Sequence, residues 1–169
     1  NFLRVLDGYR CLEQNALLLH AGGVIRDGAA YVFFGPSESG KTTSVSLSEG
    51  CTILSDDIVL LQVEQAGQSS RVRAYGVPFR GMLVETCRTN ASAVVKGIYR
   101  LRKSPQHRLA DLSFSKAVSE LSASVPFIMS HPANALRALR VSELIERAVP
   151  VRELFFRKDS GFWDIIERA

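Results

Sequence analysis

Residues 35 to 42 read GPSESGKT; the apolar run AAYVFF leads into them and TTSVSLSE, a short helix-like stretch, leads away. A match to G-x-x-x-x-G-K-[ST] between a strand and a helix is a strong restriction on the fold, because strand end, loop and helix start must stand in line. Gly35 and Gly40 let the backbone curl so that N–H groups point inward, and Pro36, Ser37, Glu38 and Ser39 form the arc between them. Lys41 offers a point charge to the β and γ phosphates of ATP, Thr42 a hydroxyl to Mg²⁺, and Thr43 carries the chain into the helix, whose N-terminal end is positive. A Gly/Ser-rich turn matching by chance is the competing reading, and the strand-loop-helix setting counts against it.

Fifteen positions past the lysine, the apolar run CTIL ends in SDD. Asp is common where a polar turn closes a strand, but after a phosphate loop the pair Asp56 and Asp57 has the form of a metal-binding strand end. Neighbours on a strand point to opposite faces, so one carboxylate is expected to reach Mg²⁺ and the attacking hydroxyl while the other turns toward an adjacent strand. His20 ends the run ALLL before a flexible AGG, one strand ahead of the phosphate-loop strand. Its side chain can lie beside the aspartates and hold a carboxylate in place, although spacing alone leaves it structural. His107 and His131 lie in polar, helix-flanking stretches and are assigned no role.

The bulk composition limits the partners. The chain has 169 residues, 46% of them apolar and 22% charged, enough for one domain spanning 1–169 with a real core. No apolar run approaches the roughly 20 residues of a spanning helix, and NFLRVLDGYR lacks the apolar run of a signal peptide. A soluble, cytoplasmic protein without a membrane partner is expected. Cys11, Cys51 and Cys87 are scattered, which indicates neither a disulfide framework nor a zinc site. The net charge of +4 is concentrated between Arg71 and Arg108. No aromatic interleaving or nucleic-acid module accompanies it, so a solvated face, or one that meets phosphate or an acidic partner, is expected.

The first half reads as strands. NALLLHAGGVI and AAYVFFG flank the hairpin signal Asp27-Gly28; CTILSDD and IVLLQVE follow; EQAGQSS reads as a polar loop and RVRAYGVPF as another strand. The second half reads as helical, with Leu109, Leu112, Ala117 and Leu121 at helical spacing and Pro132 opening a helix up to Pro150. VPVRELFFR alternates like a strand, and DSGFWDIIERA closes the sequence as a short amphipathic helix.

LLLHAGG, GPSESGKT and ILSDD at this short spacing resemble the catalytic domain of HPr kinase/phosphorylase and its kinase-like relatives, a group that shares its core with phosphoenolpyruvate carboxykinase. VPVRELFFRKDSGFWDII is similar to the closing strand and helix of the smaller kinase-like members. The resemblance implies an α/β domain of mixed, mostly antiparallel sheet around the phosphate-loop helix, with the C-terminal helices outside. It implies ATP- and Mg²⁺-dependent phosphoryl transfer to a serine of a protein or peptide, and suggests a homo-oligomer. By the match, Asp57 is the base and metal-side group with Thr42, Asp56 and His20 are its partners, and Arg80 in GVPFRGM takes the arginine of the family's E-x-R-G.

Two positions depart from the pattern. Pro78 replaces the glutamate of E-x-R-G, and Thr43 stands where the bifunctional enzymes carry glutamate. Both speak against the phosphorylase reaction and against HPr as acceptor. A nucleotide-binding regulatory module without efficient transfer, and a small-molecule kinase, are the alternatives to a protein or peptide kinase.

Overall fold

The computed structural model describes residue 8 and residues 10–77, 90–126 and 132–169. Pro78, Arg80, Cys87 and His131 lie outside the described residues, and the arginine-glycine match lies there with them. The chain is a mixed α/β, sheet-rich structure. Its strands are β1 (Ala16–Arg26), β2 (Ala29–Phe34), β3 (Thr52–Ser55), β4 (Ile58–Ala66), β5 (Ser69–Gly76), β6 (Ser92–Lys103), β7 (Arg108–Asp111) and β8 (Val151–Phe156). Its helices are α1 (Lys41–Ser46), α2 (Phe114–Ala123), α3 (Pro132–Ala148) and α4 (Phe162–Glu167). Among the described residues no helix is long and apolar enough to cross a membrane.

Five strands close on themselves in the order β2-β1-β4-β5-β6, with β6 returning to β2 as a barrel-like sheet. Two long strands make this possible by changing partner along their length. β1 pairs with β4 through Ala16–His20 and with β2 from Ala21 to Arg26. β6 meets β5 at its start, then runs parallel to β2, and its end runs parallel to β8. β3 adds to β1 and β7 to β8, both antiparallel. The sheet is therefore mixed, with antiparallel pairing predominant.

Alternation along the shared strands divides the apolar residues into two cores. Val32, Phe34, Leu61, Val72 and Ile98 join Leu121 of α2 and Val141 and Ile145 of α3. Tyr31, Phe33, Tyr99, Leu154 and Phe156 point the other way, against Val45 of α1 and Phe162, Trp163 and Ile166 of α4. Each fully buried Phe, Leu or Ile contributes about 1.5–3 kcal/mol from removal of its apolar surface from water. Arg100, buried on β6, lies 2.8 Å from Glu120 of α2 and 3.1 Å from Glu153 of β8, which ties α2 to the parallel strands. Burial alone would raise the Glu120 carboxyl, but Arg100 and Lys116 beside it hold it below its ordinary range.

Several sequence expectations hold. Asp27 and Gly28 both take positive φ, 51° and 77°, the backbone of a two-residue hairpin turn, and Pro132 opens α3. Others change. The segment EQAGQSS is a tight hairpin around Gly67, so Glu64 faces Arg71 and Arg73 across β4 and β5 instead of preceding a loop. Leu109 lies in β7, not in a helix, because Arg108–Asp111 pairs with β8, and α2 starts only at Phe114. The AGG segment is extended strand. A Cβ on Gly22 would lie 2.6 Å from Val45 Cγ2 and 3.2 Å from the Lys41 carbonyl oxygen, so α1 rests directly on the main chain of β1.

Gly22→Ala therefore overpacks a contact between a stiff β-branched side chain and helix backbone. The expected result is a loss of about 1–3 kcal/mol in urea unfolding, together with a displaced 35–40 loop.

Candidate functional site

The site is built where three strands running in the same direction end together. β2 runs out into the loop 35–40, β6 ends at Lys103 and Ser104, and β8 ends at Phe156 and Arg157. A cavity of about 810 Å³ opens over these ends. On one side it is bordered by His20, Asp56 and Asp57, on its floor by Ser37, Glu38, Gly40, Lys41, Thr42 and Thr43, and on the far side by Lys103, Ser104, Arg157 and Lys158. Gly35, Pro36 and Ser39 shape the loop from behind.

The loop's geometry follows from its residues. Gly35, Glu38 and Gly40 have φ of 151°, 62° and 108°, the left-handed region in which glycine is at ease. At Gly40 a Cβ would also stand 2.5 Å from Phe156 Cζ, so the loop closes against β8 only without a side chain there. Lys41, buried at the first position of α1, donates from Nζ to the carbonyls of Gly35 and Pro36, both at 2.9 Å. Burial pushes its ammonium below the ordinary lysine range, and the Asp57 carboxylate offsets part of that. Ser39 Oγ is buried and has no hydrogen-bond partner among the described residues. A glycine-rich arc with a partly dehydrated ammonium and the Thr42 side chain beside it is a donor set that suits a phosphate group.

Asp56 and Asp57 occupy the turn between β3 and β4. Ser55 makes that turn: its Oγ accepts from Asp57 N at 3.2 Å and from Ile58 N at 3.1 Å. Because the chain turns here, strand alternation stops, and both aspartates border the same cavity instead of facing opposite sides of a sheet. Asp56 is 4% exposed, the more buried of the two. His20 Nδ1 lies 3.2 Å from Asp57 Oδ1. The backbone reinforces the pairing, since Ala21 N donates to the Asp57 carbonyl at 3.0 Å and His20 N to that of Ser124 at 2.9 Å. His20 thus sits at the position where β1 changes partner from β4 to β2.

The structure brings together His20, both aspartates and the loop. Of the basic far side, Lys103 belongs to the basic middle segment that the sequence reading offered to phosphate, whereas Arg157 and Lys158 were missed. The signal was present: IYRLRK and LFFRK are alternating apolar runs that end in cations, the pattern of strands that deliver charge at their C-terminal ends. Among the described residues, no group of three or more His, Cys, Asp or Glu side chains is placed to hold a metal ion unaided. Mg²⁺ in phosphate-transfer sites usually takes one or two carboxylates plus phosphate oxygens, and Thr42 and Asp57 on the cavity wall fit that arrangement.

No protein-family model and no curated protein sequence matches the chain. Among solved structures, the HPr(Ser) kinase/phosphatase from Coxiella burnetii is similar over 56% of this chain and 72% of that one, with 14% identity and a TM-score of 0.37. At that score the likeness settles neither fold family nor activity.

Ser55→Ala removes the acceptor that shapes the aspartate turn. The expected result is about 1–2 kcal/mol lost in denaturant unfolding as the buried Ile58 amide and the part-buried Asp57 amide lose this acceptor.

Proposed function

We propose that the protein is an ATP-dependent kinase that transfers the γ-phosphoryl group to a serine hydroxyl of a protein or peptide. The fold reading that accompanies it is an HPr kinase/phosphoenolpyruvate carboxykinase-like phosphate-loop domain. The single observation that supports the proposal is the shared cavity: Lys41 and Thr42 of the glycine-rich loop border it together with Asp57, whose carboxylate lies 3.2 Å from His20 Nδ1.

In this reading the loop 35–43 holds the polyphosphate and Lys41 balances its charge. Thr42 and Asp57 would hold Mg²⁺, which supplies charge neutralisation between the β and γ phosphates. Asp57 accepts the proton of the serine hydroxyl as that oxygen forms its bond to phosphorus and ADP departs. His20 fixes the Asp57 carboxylate so that one oxygen stays directed at the incoming hydroxyl. Asp56, more deeply buried, sets the position of the turn. With little covalent chemistry for the protein to perform, positioning and charge neutralisation carry the rate.

Titration calorimetry with Mg-ATP is the test. Wild type is expected to bind, and Lys41→Ala to lose that binding. Asp57→Asn is expected to still bind nucleotide, weakened by the loss of one Mg²⁺ ligand, while phosphorylation of serine peptides at saturating Mg-ATP, followed by mass spectrometry, falls about 10²- to 10⁴-fold. A variant that phosphorylates normally would remove Asp57 as the base. Binding without transfer to any peptide or small hydroxyl compound would favour a regulatory module.

A further inference from the structure

Four neighbouring strands set a lateral order across the cavity. β1 carries His20, with Asp57 bonded to its backbone; then come β2 and its loop, then the end of β6, then the end of β8. Three strand spacings give about 14 Å from one wall to the other. This deepens, and rests on, the nucleotide reading above: with the acceptor's proton going to Asp57, the γ-phosphorus lies at the β1 side. The rest of the nucleotide must then run away from Asp57, toward β6 and β8.

At that far end stands an arginine whose position is built by other residues. Arg157 directs Nε to Asp159 Oδ2. Asp159 Oδ1 is taken by His107 Nε2 at 2.7 Å and by the amide of Gly161 at 3.0 Å, so both carboxylate oxygens are engaged. His107 comes from the loop between β6 and β7, and its side chain is only 13% exposed. A Cβ on Gly161 would approach Asp159 Oδ1 to 3.0 Å and His107 Nε2 to 3.1 Å, so a side chain there would push the pair by a few tenths of an ångström. An exposed arginine normally gives up much rotamer freedom on binding an anion, and a guanidinium already held through Nε gives up less. Its terminal NH₂ groups stay available to the cavity it borders. His107, Arg157 and the Gly161 amide hold the Asp159 carboxyl down to about 2, so it stays ionised at any physiological pH.

We propose that Arg157 clamps the nucleoside of the bound nucleotide at its ribose hydroxyl oxygens, and that Asp159 and His107 are positioning residues for that arginine. The test compares Mg-ATP with inorganic triphosphate plus Mg²⁺ by titration calorimetry, using the full chain. Triphosphate can occupy the loop but has nothing to offer at the β8 end.

Arg157→Ala and Asp159→Ala are each expected to weaken ATP binding about tenfold and leave triphosphate binding unchanged. The double variant is expected to be no weaker than either single one, because the two side chains act as a unit. Arg157→Lys should recover only part of the loss, since an ammonium cannot keep the Asp159 contact and reach the ligand together. Equal weakening of ATP and triphosphate would mean a merely structural role and would overturn the proposal. So would ATP affinity at the wild-type level in both alanine variants while Lys41→Ala abolishes binding, an outcome that leaves the nucleotide reading standing. Failure of wild type to bind either ligand defeats that reading and this one with it.

Discussion

The site depends on parallel pairing. β2, β6 and β8 run side by side in one direction, and each must be followed by a long connection before the next can pair. Those connections place α1 and β3 to β5 between β2 and β6, and β7, α2 and α3 between β6 and β8. All three C-terminal ends therefore meet on one side of the molecule, where their backbones leave the ladder and their next residues are free to serve a ligand. The antiparallel β1 brings His20 to the same edge from the opposite direction. One ladder thus collects a glycine-rich loop, a basic wall and an aspartate turn from segments more than a hundred residues apart.

Holding that ladder in place requires both of its faces to be covered. The alternation of β2 sends Phe33 to one core and Phe34 to the other, so α1 with α4 and α2 with α3 act as opposing supports. Arg100 locks the second support electrostatically, since Glu120 and Glu153 come from different elements and share the one guanidinium. A buried arginine left without either carboxylate would be costly, which makes the placement of α2 on the sheet specific as well as favourable.

The sequence made the first sixty residues legible because their signals are local. A hairpin turn at Asp27-Gly28, a glycine-rich loop and an Asp pair each sit within a few residues of the structure they specify. The placement of His20 beside the aspartates was open to the sequence reading from strand order and was implied by the family resemblance. What escaped was whatever depends on distant pairing. Ser92–Lys103 carries few local turn signals, and only its partners β2, β5 and β8 identify it as the longest strand. Leu109 and Leu112 fit a helical period by chance, and the free edge of β8 claimed the first of them. Asp159 could not be recognised from spacing, since its partner His107 lies 52 residues away.

Trp163 is the chain's single tryptophan, and its surroundings give it a further property. The indole is 4% exposed, meets Tyr31 edge-on at 5.1 Å and donates from Nε1 to Ser48 Oγ at 3.2 Å. Ser48 Oγ in turn donates to the Ser44 carbonyl at 2.7 Å, inside the helix that begins at Lys41. Two hydrogen bonds thus connect the only indole to the helix that follows the glycine-rich loop. Tryptophan emission responds to its hydrogen bonding and polarity, so the protein carries its own optical gauge of that helix, one that needs no attached label.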